Sequence, residues 1–396
     1  MISIFQKLQE KPVIKYIDQL VSALISYVLL MPSFFEYNYI EIAKISVLTS
    51  IFTFWLGLIR ITVIIEVLDK RNLNLELSSF FLKTFLYCCP SLVIIGISEH
   101  LDISKESSIT LALIIFFGIF EELFRQKFLA QKRYFFALIL DGTWLLITLA
   151  LIITNNGNYE MELRFWLIGA MSSFALGVFI NRKNMFVRNL KKKKIVKNTA
   201  LLVPMFLSSN TFIQNYLIYQ MDSGKSLGLY RGLQLFFLPA IFIINLQQVN
   251  LIPLISDGLK VQIEVHRKRL LGLISFLVVL AFVASHFYLK YHSIDVAIST
   301  VVILICFSVF INFEINFRTL VEIANGFENR IVIMRSLWLV LTALSLYLFA
   351  NSLLTAVFIF TVIDLIMLVN LISPIYKKIY RYSQKRLMFD SEEIYE

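Results

Sequence analysis

The sequence predicts an all-α polytopic membrane protein of about twelve transmembrane helices in two six-helix bundles, and three observations carry that reading. The 396 residues are 58% hydrophobic and only 16% charged, with a mean hydropathy of +0.76. A soluble domain carries about 25% charged and about 45–50% apolar residues, so lipid has to cover much of this surface. The apolar residues fall in runs of helical spanning length, and Lys and Arg sort between alternate connections. With 36 Phe and 13 Gly, the chain is neither collagen-like nor a flexible linker. Its three Cys (Cys88, Cys89, Cys306) all lie in apolar runs and give no disulfide scaffold.

A hydrocarbon core of about 30 Å needs about 20 mostly apolar helical residues. Runs of that kind, bounded by polar clusters, occupy 14–34, 45–67, 77–97, 109–124, 135–153, 165–180, 199–219, 227–251, 270–287, 296–317, 332–350 and 353–371. No cleavable signal pattern precedes the first run, which is therefore read as the first span. Translocated connections tend to lack Lys and Arg. Of the 37 such residues, 29 fall on the side of the two termini, and only Lys44, Lys105, Arg164, Lys225 and Lys290 fall in the opposite loops. Both termini are therefore expected on the cytoplasmic side of the membrane. The net charge of +10, which in a soluble protein points to nucleic acid, is mostly a topology signal, and no nucleic-acid partner is expected.

Eight of the basic residues crowd between Arg182 and Lys197 at the midpoint of the chain. This stretch reads as a cytoplasmic linker held at anionic headgroups. It divides the chain into an N-terminal bundle (1–181), the linker (182–198), a C-terminal bundle (199–372) and a cytoplasmic tail (373–396). Six crossings return the chain to its starting side, so the halves are expected to repeat about an axis along the membrane normal. Phe120-Glu121-x-x-Phe124-Arg125 ends the fourth span, and Phe313-Glu314-x-x-Phe317-Arg318 ends the tenth, 193 residues later. Each is followed by a span with a Trp, Trp144 and Trp338.

Ionisable groups at membrane depth cost about 2.5–3.5 kcal/mol even on the lenient scale, so they face a protein interior or a water cavity. Arg60 lies deep in the second span and either lines a cavity, pairs with Glu66 or snorkels. Arg231 stands one turn into the eighth and either lines a cavity or snorkels outward. Asp18, Gln19, Ser22 and Ser26 form a polar stripe on the first span, expected to border a hydrated vestibule or, second, a packed polar interface. Asp141 is expected to pair with Arg133 or Lys132, and Glu121, Glu122 and Glu314 with Arg125 and Arg318. Asp364, with Thr361 and Asn370 on related faces, is a candidate proton or cation site, and Asp141 and Glu66 are further ion-coupling candidates. Asn245, Gln247, Gln248 and Asn250 either bind sugar hydroxyls or end the eighth helix at the interface. The four His show no metal-ligand spacing, and no nucleotide loop or G-x-S-x-G turn is present. No enzyme activity, metal or cofactor is expected. His292 and Asp295 stand in a short outer loop.

Three stretches carry a family resemblance: Ile17-Asp18-Gln19-Leu20-Val21-Ser22-Ala23; Gly57-Leu58-Ile59-Arg60 through Ile65-Glu66; and Leu227-Gly228-Leu229-Tyr230-Arg231-Gly232-Leu233-Gln234 with Pro239 and Leu251-Ile252-Pro253-Leu254. With the twelve-span layout, the chain resembles the Wzx-type flippases of the multidrug/oligosaccharidyl-lipid/polysaccharide exporter superfamily. The chain is somewhat short for that family and lacks its dense set of cavity cations. The resemblance implies alternating access between two bundles, and flipping of a polyprenyl-phosphate-linked oligosaccharide to the outer leaflet for surface polysaccharide. It implies that Arg60 and Arg231, with Asp18, Gln19, Ser22 and Gln234, contact the substrate, and that a glycan polymerase or glycosyltransferases are partners. The alternatives are an ion-coupled small-molecule exporter of the same superfamily and a membrane scaffold that does not transport.

Overall fold

The computed structural model describes residues 12–30, 38–68, 103–131, 133–154, 159–181, 202–244, 260–291, 296–324 and 328–372, and within these the side chains of 12, 13, 15, 16, 19, 23, 26, 57–68, 130, 202–208, 260–262, 296, 297, 323, 324 and 328 are left aside. The described residues form helices and short connections, without a strand. In chain order the helices are α1 (Pro12–Tyr27, closed by a 3-10 turn at Val28–Leu30), α2 (Tyr39–Leu68), α3 (Lys105–Ala130), α4 (Tyr134–Thr154), α5 (Tyr159–Asn181) and α6 (Leu202–Met221). They continue as α7 (Lys225–Phe236), α8 (Leu238–Ile244), α9 (Lys260–Tyr291), α10 (Val296–Ala324), α11 (Glu328–Phe349) and α12 (Leu353–Ile372). Eight of them are long and apolar enough to cross a bilayer, and α7 with α8, bent by 73° at Phe237, makes a ninth. Eleven of the twelve predicted spans thus overlie described helices. The third, at 77–97, lies outside the described residues, as do the linker, the tail, the amide cluster at 245–250 and the His292–Asp295 loop.

The starts of α1 and α11 and the ends of α3, α10 and α12 lie toward one membrane face, here termed proximal. Polar side chains stop the helices at the opposite, distal face. Asn38 accepts from the Glu41 amide (3.3 Å), Ser104 from Ser107 (3.2 Å), Asp222 from Ser226 (2.9 Å) and Ser352 from Thr355 (3.2 Å), satisfying N–H groups that a first helical turn leaves open.

The packing order repeats along the chain. In the first half α1 lies on α4, α3 on α5 and α4 on α5, while in the second half α6 lies on α11, α10 on α12 and α11 on α12. These are equivalent spans of two six-span sets, so the two copies of the Phe-Glu-x-x-Phe-Arg motif occupy corresponding ends of α3 and α10. The first half is centred on an aromatic group in which Phe52 of α2 meets Trp144 of α4 (5.9 Å) and Trp166 of α5 (4.9 Å) edge-on. The faces turned outward are apolar: Leu337, Val340, Leu344 and Leu348 of α11 are all more than half exposed, as a lipid-facing surface requires.

The two halves meet most extensively where α2 packs on α6 and α7. At the distal end of this contact the chain backbones touch. A methyl group on Gly228 would collide with the Tyr39 carbonyl, and one on Gly224 would come within 2.9 Å of the Ala43 Cβ. Gly224 also has φ +96°, which only glycine adopts freely. Small residues allow this approach where lipid gives no hydrophobic drive for helix association.

Candidate functional site

Three polar groupings stand inside the membrane-spanning body. The first, in the proximal part of the first half, surrounds Arg125, whose residue is 2% exposed. Its Nη2 donates to Asp18 Oδ2 (2.8 Å) and its Nη1 to Glu122 Oε2 (3.2 Å), while Nε lies 2.9 Å from Asp141 Oδ2. Asp18 is fully buried and Asp141 nearly so. Glu121 is buried near this group, and its Oε1 has no partner among the described residues. One turn further on, Lys127 donates to Asn181 (3.1 Å). Helix α3 brings the Arg and both Glu, α1 brings Asp18 and α4 brings Asp141, so the grouping ties together three helices of one half.

This corrects several expectations. The stripe on α1 is a packed polar interface against α4 at Asp18 and borders no vestibule there; Ser22 is half-buried, and the Gln19 and Ser26 side chains lie outside the description. Asp141 pairs with Arg125 of a different helix instead of Arg133 or Lys132. Glu122 pairs with Arg125 at i+3. The apolar run of the fourth span ends at Phe124, but α3 continues to Ala130, which carries Arg125 inside the body.

The second grouping lies in the second half. Asp364 of α12 accepts from Trp338 Nε1 (2.9 Å) and Asn312 Nδ2 (3.3 Å). Its partners are therefore not Thr361, whose hydroxyl bonds its own helix, or Asn370, whose carbonyl accepts from Arg330. Arg335, 1% exposed, stacks on the Trp338 ring (5.0 Å) and has one long bond to Thr319 (3.4 Å). Its Nε and Nη1 have no partner among the described residues, and no ion pair joins it to Asp364. Sequence reasoning missed Arg335 because it hides among the basic residues at the proximal end of α11. Glu314 does pair with Arg318 (3.5 Å), but its shorter bond is to Arg267 of α9 (2.6 Å).

The third grouping stands between the halves. Arg231 of α7 is half-buried; its Nη1 donates to Gln234 Oε1 (2.7 Å) and its Nη2 to Asn215 Oδ1 of α6 (2.7 Å). Its Nε has no partner, and no carboxylate pairs with it among the described residues. Both bonds go to neutral amides, so the charge is held in place without being neutralised. Asn215 in turn donates to the Ser46 carbonyl of α2 (3.4 Å). Arg231 also lies within electrostatic range of Tyr27 of α1.

Tyr27 is one wall of a cleft of about 370 Å³ between the halves. Leu20 and Leu24 of α1 continue that wall, Leu238 and Phe242 of α8 face it, and Leu277 of α9 closes the back; none of the lining residues is charged. The cleft exists because the chain turns at Phe237. Broken helices of this sort line binding sites in membrane transporters. Arg60 lies on helical backbone of α2 about 30 Å along from Tyr39, near the proximal end, and its side chain and that of Glu66 lie outside the description.

No known family profile matches the chain, and no curated protein matches it in sequence. Solved structures do. The MATE multidrug transporter DinF-BH, in a ligand complex, aligns over 95% of both chains with a TM-score of 0.57 at 12% identity. The chain has the fold of these transporters. An inward-facing MATE transporter of the MOP superfamily aligns over 94% of both chains (TM-score 0.55, 10% identity). The eukaryotic MATE transporter AtDTX14 covers 96% of this chain and 99% of its own (TM-score 0.55, 12% identity). That fold is twelve helices in two bundles.

Proposed function

We propose that the protein is a transporter that alternates access between its two bundles and flips a lipid-linked oligosaccharide, carried on a polyprenyl phosphate, from the cytoplasmic to the outer leaflet. In this reading the proximal face is cytoplasmic and the distal face is outside, as the Lys and Arg distribution indicates.

One observation carries the choice of substrate: Arg231, a guanidinium held by neutral amides among the described residues, lies within electrostatic range of Tyr27, which lines an uncharged apolar cleft. An anion with a long hydrocarbon tail matches both parts. A lipophilic cation, as an ion-coupled small-molecule exporter would carry, calls for a carboxylate at the cleft; Asp18 and Asp364 are instead engaged inside the halves. Arg60, nearer the proximal end of α2, is the first phosphate contact and Arg231 the last. The amides of Gln234 and Asn215 orient Arg231, and Gln234, the less buried of the two, faces the sugar side of the phosphate.

Direction needs no nucleotide. An anion moving outward from an inside-negative cell gains about 2.3 kcal/mol per charge per 100 mV, which favours export of a doubly charged lipid by about 4.6 kcal/mol. We assign an exchangeable proton that adds to this drive to the buried carboxyls of Glu121 and Asp141, and a second such site to Asp364 of α12. In cells, Arg60→Ala and Arg231→Ala are each expected to leave expression intact and block surface glycan. Full export by both variants would remove the phosphate-contact role.

A further inference from the structure

We propose that Asn215 is the link through which an anion at Arg231 unlocks the distal contact between the halves; this rests on the reading of Arg231 as an anion contact. The contact itself is a seal made of backbone. Gly224 and Gly228 admit Ala43 and the Tyr39 carbonyl so closely that no side chain fits between them. Among the described residues, two polar contacts that cross between α2 and the second half bear on this seal. The tyrosyl hydroxyls of Tyr39 and Tyr288 meet at 3.2 Å, and Asn215 Nδ2 donates to the Ser46 carbonyl at 3.4 Å. Only the second involves a residue that also holds Arg231.

Asn215 is 1% exposed, so water does not reach its amide from the surface. Its oxygen accepts a hydrogen bond from Arg231 Nη2 at 2.7 Å, and that short, charge-assisted bond fixes which way the amide faces. The same bond polarises the amide and strengthens its N–H toward Ser46, since hydrogen bonds in series reinforce one another at low dielectric. The seal is thus held in part by a guanidinium that does not touch it. A phosphate oxygen is a better partner for Arg231 than an amide oxygen. When Arg231 turns to a phosphate, Asn215 loses the bond that orients it, and the longer bond to Ser46 weakens with it.

Geometry adds a second coupling in the same direction. Gly228 and Arg231 stand three residues apart on α7, one turn along the same face, so a shift of that turn toward an anion draws Gly228 away from Tyr39. Opening then follows loading, and an empty transporter stays closed on the distal side.

The test uses the full-length protein in lipid vesicles, with Cys88, Cys89 and Cys306 replaced by Ser. Ala43→Cys, buried in the seal, reports opening by its reaction with a membrane-impermeant maleimide, and Lys225→Cys, exposed beside it, is the always-open reference. The probe is a long-chain polyprenyl phosphate, against an equal amount of phosphatidylglycerol, and its binding is measured on the same vesicles. The parent should label slowly and speed up by about fivefold or more with polyprenyl phosphate, the lower end of typical coupling between sites, but not with phosphatidylglycerol. Asn215→Leu should label fast with or without the probe. Asn215→Leu should still bind polyprenyl phosphate through Arg231, an outcome that misfolding does not produce. Binding that depends on Arg231, combined with parent-like labelling of Asn215→Leu, overturns the link alone. A parent that binds no polyprenyl phosphate overturns the reading of Arg231, and the link with it.

Discussion

Arg125 in the first half and Arg335 in the second are both buried to 2% exposure or less, and they are held in opposite ways. Arg125 has a carboxylate within 3.2 Å of each of its three nitrogens, drawn from three places on three helices. Arg335 has an aromatic ring, one long hydroxyl bond and two nitrogens without a partner among the described residues. The contrast extends to neighbouring positions. Asp141 and Trp144 stand three apart on α4, as Arg335 and Trp338 do on α11, so corresponding helices of the two halves carry opposite charges one turn before a Trp. The first half is braced by a dense ion network, while the second has one buried ion pair, Arg330 with Glu322 (3.3 Å), at its helix ends and keeps Arg335 and the Asp364 carboxylate apart with Trp338 between them. A repeat of helix packing has therefore been retained while the charges within it have diverged. We take the first half as the more rigid body and the second as the one whose polar interior rearranges.

Single substitutions can break that comparison. Arg125→Leu leaves Asp18, Glu122 and Asp141 buried without their shared cation and should destabilise by about 3–5 kcal/mol, seen as a much lower unfolding temperature in detergent. Trp338→Phe keeps the ring under Arg335 but deletes the N–H on Asp364; a hydrogen bond to a charged group contributes about 1.5–3 kcal/mol, and the same thermal assay should show that smaller loss. Arg318→Ala, the counterpart of Arg125 in the sequence repeat, removes a partly exposed pair and should cost no more than about 1 kcal/mol. Arg335→Met replaces a poorly paired buried cation with an apolar chain of similar length, and should cost nothing or stabilise. If Arg335→Met proved as damaging as Arg125→Leu, the two halves would not differ in the way their bonds indicate.

The spans are legible because lipid enforces long apolar helices, and eleven of them sit where the runs of apolar residues place them. The partners of the charged groups are much less so. Closeness in sequence points Asp141 toward Arg133 or Lys132, yet its cation comes from the preceding helix. Arg125 reads as a loop residue because a basic side chain ends an apolar run; only Asp18 and Asp141, brought in by other helices, make its burial affordable. Arg335 is invisible for the same reason. Asp364 stands out correctly as an acid too deep for chance, but its bonds to Trp338 and Asn312 depend on how three helices pack. Arg231 stands out as a charge one turn into its span, but its bonds to Gln234 and to Asn215 on α6 are not legible in the sequence.

The central claim is that Arg231 and the apolar cleft between the halves serve a lipid-borne anion. It is tested most directly with purified protein in vesicles carrying a fluorescent oligosaccharide on polyprenyl phosphate, by following how much of the glycan becomes accessible to a soluble glycosidase on the far side. The account predicts that the parent moves the glycan lipid across and that Arg231→Gln lowers the rate by about tenfold or more, as loss of a charge-assisted phosphate bond implies. Vesicles in which the parent leaves the glycan lipid in place but moves a lipophilic cation such as tetraphenylphosphonium, or in which Arg231→Gln flips the glycan at the parental rate, would contradict it.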